Sequence, residues 1–216
     1  MKYFLALAAI VVPLGLSACS EPAPRNRGIY LLLDTSGTYT QELAKAQQII
    51  TAVLARLNPG DSFAVARIDT GSFSEKDIIA KVTFDERPSV ANEQKRRFQE
   101  HIRRFVKNVR PAAYTDITGG ILQASEYLHE KNPGSKVILV FSDLKEDLKK
   151  GYIRDLPLAL DEIEIVALNV TKLRSDNVDP REYLNRLEAW QHRVVQNGGD
   201  WRVINDLDRL NQVIRG

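Results

Sequence analysis

Three short segments, far apart in this chain, each set hard oxygen donors at the end of an apolar run or the start of a helix. Asp34-Thr35-Ser36-Gly37-Thr38 follows Ile29-Tyr30-Leu31-Leu32-Leu33, Thr115-Asp116 precedes a stretch of helical period, and Asp143 follows Val137-Ile138-Leu139-Val140-Phe141. The carboxylates of Asp34 and Asp143 and the hydroxyls of Ser36, Thr38 and Thr115 form a donor set that suits Mg²⁺ or Mn²⁺ in an octahedral site. The same set would hold zinc poorly. Each residue also has an ordinary use. Asp34 and Asp116 could cap helices, Ser36 and Thr38 could form turns, and Asp143 could simply end a strand. Their joint placement at strand ends favours one shared site.

The elements that must position these residues alternate between strand and helix. Arg27 to Asp34 is a nearly unbroken apolar run, the pattern of a strand covered on both faces in a parallel sheet. Gln41 to Leu57 carries apolar residues at helical spacing and is stopped by Asn58-Pro59-Gly60-Asp61. Ser62 to Asp69 and Ala80 to Phe84 read as strands, and their polar link is too short for a helical crossover, so they should pair antiparallel. Val90 to Val109 and Asp116 to Glu130 read as helices, and Lys136 to Phe141 and Glu162 to Val170 as strands. Asp179-Pro180-Arg181-Glu182 has the pattern of a capped helix start, with Asp179 as the cap. Trp201 to Ile204 and Leu207 to Ile214 supply a last strand and helix.

This order implies an α/β, doubly wound, mostly parallel six-stranded sheet with one antiparallel edge strand and helices on both faces. In such sheets ligands bind beyond the carboxyl ends of the strands, where the strand order reverses. In the order 3-2-1-4-5-6 the strands ending at Asp34 and Phe141 are neighbours at that reversal.

The amino terminus carries a second signal. Met1-Lys2, an apolar stretch from Tyr3 to Leu16, and Ser17-Ala18 before Cys19 make a secretion signal too short for a spanning helix. The segment resembles a bacterial lipobox, which implies a signal peptide over residues 1–18 and lipidation of Cys19. Residues 19–26, with Pro22 and Pro24, then form the lipidated cysteine and a short tether. Residues 27–216 form a single domain. Cys19 is the only cysteine, so no disulfide or thiolate cluster is available. Acyl chains contribute about 0.8 kcal/mol per buried CH₂, and the two or three that such lipoproteins carry would hold the domain at a membrane. In a diderm host, Ser20 after the cysteine resembles the outer-membrane class, facing the periplasm. The formal charge of +2 becomes +1 when Lys2 is removed, and it argues for no particular partner.

Asp34-x-Ser36-x-Thr38, then Thr115 entering a helix, then Asp143 after an apolar strand, resembles the metal-ion-dependent adhesion site of von Willebrand factor type A domains. The similarity spans residues 27 to about 214. It implies that the hydroxyls of Ser36, Thr38 and Thr115 would meet the cation, with Asp34 and Asp143 acting mainly through water. It further implies a position open to an Asp or Glu of a partner protein. The chain departs from the family at Leu144, where a glycine often follows the aspartate, so the loop Leu144 to Lys150 should shape a different rim.

An enzyme reading competes. Asp34-Thr35-Ser36-Gly37-Thr38 also resembles a haloacid-dehalogenase-type motif, with Asp34 as nucleophile of a Mg²⁺-dependent phosphohydrolase. That chemistry normally has an acid where Ser36 stands, and it leaves Thr115 without a role. Asp69-Thr70-Gly71-Ser72 matches an aspartic-protease motif but has no second copy. His101, His129 and His192 lack metal-ligand spacing. Gly119-Gly120 lacks the Walker pattern, and close packing of helix on sheet accounts for it better. In the helix 90–109, an apolar stripe of Phe98, Ile102, Phe105 and Val109 is flanked by basic groups. Arg96, Arg97, Arg103 and Arg104 are therefore either a solvated face or a surface for an acidic protein or anionic lipid.

The expectation is a non-catalytic, lipid-anchored binding module of the bacterial cell envelope that uses Mg²⁺ or Mn²⁺ to bind an acidic group of a protein. Nucleic acid and small-molecule substrates are not expected. The phosphohydrolase and a metal-free scaffold on the same fold are the alternatives.

Overall fold

The computed structural model describes residues 25–37, 39, 42–173, 175–206, 209 and 210. Six strands form one sheet: β1 (Arg27–Asp34), β2 (Ser62–Ile68), β3 (Ile78–Thr83), β4 (Ser135–Phe141), β5 (Ile163–Leu168) and β6 (Asp200–Ile204). Four helices with both ends among the described residues accompany them: α1 (Leu43–Leu54), α2 (Pro88–Asn108), α3 (Ile117–Lys131) and α4 (Arg181–Gln196). The strand order is β3-β2-β1-β4-β5-β6, with β3 antiparallel to β2 and every other pair parallel. The order reverses between β1 and β4, as the alternation of elements implied.

Strand β1 is apolar along its length because both its faces are covered. Ile29, Leu31 and Leu33 pack with Leu43, Ala46, Ile50 and Val53 of α1 and with Phe98 and Ile102 of α2. The alternate residues Tyr30 and Leu32 pack on the other face, with Ile117, Ile121 and Leu128 of α3 and Trp190 and Val194 of α4. Burying one such leucine contributes about 1.5–3 kcal/mol, and a one-residue slip of register would exchange the two faces. The register is continuous, with Leu31 opposite Val65 on one side and Leu139 on the other. Gly120 lets α3 approach closely, since a Cβ there would lie 3.1 Å from Leu32 Cδ2.

Several boundaries differ from the sequence expectation, for local reasons. Strand β5 is shorter than the run Glu162 to Val170 because Glu162 and Asn169 both adopt positive φ, at 62° and 54°, and bracket it. Helix α4 starts as the sequence implied: Pro180 already has helical φ/ψ, and Asp179 Oδ1 accepts the first-turn N–H of Arg181 at 3.0 Å, as a cap does, while also pairing with its guanidinium. Helix α2 begins at Pro88, whose fixed φ and missing N–H suit a first turn. The signal segment, Cys19, Thr38 and most of the segment Leu207 to Ile214 lie outside the described residues. Among the described residues no helix is long and apolar enough to cross a membrane.

Candidate metal centre

Asp34 ends β1 fully buried, with both carboxylate oxygens held. Oδ1 accepts the Ser36 N–H at 2.8 Å, and Oδ2 accepts the Ser142 hydroxyl at 2.6 Å. The turn that follows is pinned on two sides. Thr35 Oγ1 donates to Ile68 O at 2.8 Å, and Thr35 O accepts from Ala112 N at 2.8 Å. Ser36 is half-buried, and Thr38, the next expected donor, lies outside the described residues.

Asp143 comes two residues after β4, beside the end of β1. It is 4% exposed. One oxygen accepts Lys145 N–H at 2.8 Å; the other makes no hydrogen bond among the described residues. Burial raises the Asp143 carboxyl above the ordinary carboxylate range, and the negative charge of Asp34 adds to the rise. The Lys145 N–H and the charge of Arg186 oppose it. The two acids therefore lie in each other's field, and a cation between them would relieve both burial and repulsion.

Thr115 is buried, and its backbone pairs with Asp147 on the loop after Asp143, at 2.8 and 2.9 Å. Its hydroxyl makes no hydrogen bond among the described residues. Asp116 does cap α3: Oδ1 accepts Gly119 N–H at 2.8 Å. The same carboxylate accepts Ser72 N–H at 3.0 Å and pairs with Arg154 at 2.6 Å. A Cβ on Gly119 would lie 2.5 Å from Asp116 Oδ2, so glycine is needed there for the carboxylate to stay.

Two features of the site were missed in the sequence, and a third, Leu144, was seen there only as a departure from the family. Ser142 joins the two strand ends, because its Oγ donates to Asp34 and accepts the Leu144 N–H at 3.0 Å. Its only signal was a hydroxyl directly before the strand-end acid. Leu144, at the position where the family often has glycine, takes φ 64°, the left-handed region that favours glycine, while its side chain is buried. Helix α4 clamps this turn: Arg186 Nε donates to Asp143 O at 2.9 Å and Trp190 Nε1 to Leu144 O at 3.0 Å. Arg186 is in turn held by the buried Asp176 at 2.9 Å.

The donors fit a hard cation. The Thr115 hydroxyl and one Asp143 oxygen, neither of which hydrogen-bonds among the described residues, are hard donors that a divalent ion would take. Among the described residues no cluster of three or more His, Cys, Asp or Glu side chains forms, so such an ion would rest on hydroxyls as well as carboxylates. The geometry opposes the phosphohydrolase reading in one respect. Asp34 is sealed from solvent with both oxygens engaged, whereas an attacking carboxylate must reach the phosphorus.

Asp69-Thr70-Gly71-Ser72 is a turn closed on itself, with the Asp69 N–H donating to Ser72 Oγ at 2.7 Å. The four arginines of α2 divide. Arg96 and Arg97 share Glu93, and Arg103 pairs with Glu100 at 3.2 Å. Arg104 has no ion pair among the described residues.

A doubly wound sheet in this order, with two buried acids at its switch point, defines a class of α/β domain. The sequence profile of the von Willebrand factor type A domain matches residues 28–210, and the chain belongs to that family. Similar solved structures include a von Willebrand factor type A protein from Catenulispora acidiphila, 15% identical with TM-score 0.54, covering 89% of this chain and 42% of that one. An aerotolerance-related membrane protein from Bacteroides fragilis is 14% identical with TM-score 0.50, covering 88% and 97%. The pilus adhesin SpaC of Lactobacillus rhamnosus GG is 11% identical with TM-score 0.55, covering 91% and 30%. The chain thus spans less than half of the first of these and less than a third of the last. No curated protein matches the sequence.

Proposed function

We propose that this protein is a lipid-anchored binding module of the bacterial cell envelope, held through Cys19. Its Mg²⁺- or Mn²⁺-dependent site, formed by Asp34, Ser36, Thr38, Thr115 and Asp143, takes an acidic side chain of a partner protein. The observation that carries the reading is the pair of buried acids, Asp34 and Asp143, at neighbouring strand ends and in each other's field.

When bound, the cation would supply a Lewis-acidic position for an outside carboxylate. The protein's own groups do the rest. Asp34 is locked by Ser36 and Ser142, so it would orient rather than exchange. Ser36 and Thr115 bring neutral oxygens, which leave positive charge on the ion for a ligand. Asp143 offers its unengaged oxygen. The relatives described as a membrane protein and a pilus adhesin accord with a binding role at the cell surface.

Calorimetric titration of the protein with Mg²⁺ and Mn²⁺, repeated on Thr115→Ala, tests the site. The parent should give binding heat, and the variant should bind at least about tenfold more weakly while folding in chelator like the parent. No heat in the parent would favour the metal-free scaffold. Turnover of a generic phosphoester that Asp34→Asn abolishes would favour the phosphohydrolase. An envelope pull-down in Mg²⁺ and in chelator would then recover the partner.

A further inference from the structure

Strand β3 closes one end of the sheet and, among the described residues, pairs with β2 alone. In an antiparallel pair, alternate residues turn their N–H and C=O away from the partner. Among the described residues no other backbone segment hydrogen-bonds to residues 79–83. The edge is therefore open for pairing.

Two adjoining hollows of about 440 and 500 Å³ lie between this edge and α2, and they share Ile78, Ile79 and His101. Their apolar lining is recessed. Phe98 stacks on Phe63 at 5.0 Å between ring centres and is only 6% exposed. Their lining is basic on balance: Lys81 and Arg97 stand against Glu75 in the first hollow, and Arg67, Lys76 and Arg104 against Asp77 in the second. Helix α2 carries six lysines and arginines against two glutamates, so its ion pairs leave the helix with an excess of positive charge. A smaller hollow of about 180 Å³ beside β3 and α3 is lined by Lys81, Val82, Thr83, Tyr127, Glu130 and Lys131.

We propose that the free edge of β3 and the groove beside α2 form a second binding surface, which takes an extended acidic segment of a partner protein by strand addition. An added strand would satisfy the outward N–H and C=O groups of β3 whatever its sequence. Its side chains would alternate between the two faces, so that every second one enters the groove beneath α2. Acidic residues at those positions meet Arg97 and Arg104, and the apolar stems lie over Phe98 and Ile79. A membrane fits less well, because the apolar residues sit in a trough beneath the arginines rather than at a projecting crest. The surface is independent of the metal centre, which lies at the carboxyl ends of the strands.

The test is amide hydrogen exchange and fluorescence anisotropy on the protein with an octapeptide of alternating glutamate and valine. An octapeptide of alternating lysine and valine is the control. The acidic peptide should slow exchange at residues 79–83 by about tenfold, and Arg97→Glu with Arg104→Glu should weaken its binding by about tenfold or more. Chelator should change neither result, which separates this surface from the metal site. Equal binding of both peptides, binding without protection of β3, or binding abolished by chelator would overturn the proposal. So would capture of phosphatidylserine vesicles that the double variant abolishes while the acidic peptide leaves β3 unprotected.

Discussion

The Ser142 hydroxyl donates to Asp34 Oδ2 at 2.6 Å, tying the end of β4 to the end of β1 where the strand order reverses. The same oxygen accepts the Leu144 N–H, so one small side chain fixes both the buried acid and the turn that carries Asp143.

Ser142→Ala should therefore cost more than an average surface change. A hydrogen bond to a charged group contributes about 1.5–3 kcal/mol, and the substitution leaves Asp34 Oδ2 buried without its donor. Urea denaturation in chelator should show a loss of that order, largely recovered in Ser142→Thr. A loss below about 0.5 kcal/mol would show that water replaces the hydroxyl.

Leu144 combines a left-handed backbone with a buried side chain, and two substitutions separate the effects. Leu144→Ala removes packing and keeps the backbone strain, while Leu144→Gly removes both. Both variants should be less stable than the parent, by about 2–5 kcal/mol for the alanine. The glycine variant should be more stable than the alanine by about 1 kcal/mol. The reverse order in thermal denaturation would mean that the turn relaxes out of the left-handed region.

Asp176 is buried against Arg186, whose hydrogen bond holds its carboxyl below the ordinary carboxylate range. A depressed acid stabilises the fold above its unfolded pKa, about 3.9, and that contribution is lost as pH falls through the folded value. The parent should lose stability on acidification below about pH 4. Asp176→Asn should be less stable near neutrality, and the gap between the two should narrow as pH falls. A gap that stays constant down to acid unfolding would remove the linkage.

Cys19→Ser should release the protein from membranes. The parent should partition into the detergent phase and the variant into the aqueous phase, because the acyl chains supply the anchoring energy. A parent found in the aqueous phase would rule out lipidation.

The strand order could be read in advance because its causes are local. Unbroken apolar runs demand a sheet covered on both faces, and the short link after β2 forbids a crossover. Asp34 and Asp143 were legible for the same reason, as polar residues that stop apolar strands. Arg154 and Asp116 lie 38 positions apart, and no period or motif announces such a pair. Leu144 was visible only as a departure from the family, and its backbone conformation depends on Arg186 and Trp190 of α4. The start of α4 was legible too, since Asp179 accepts the first-turn Arg181 N–H, and only its added ion pair with the Arg181 guanidinium had no signal.

The carboxylate of Asp116 ties the first turn of α3, through Gly119, to two loops at once: Ser72 after β2 and Arg154 in the link between β4 and β5. Those three segments cannot drift separately without uncovering a charge that is 1% exposed. The rim on the Thr115 side should then yield as a single plate, so a partner pressing on any one of the three would shift the floor beneath the others.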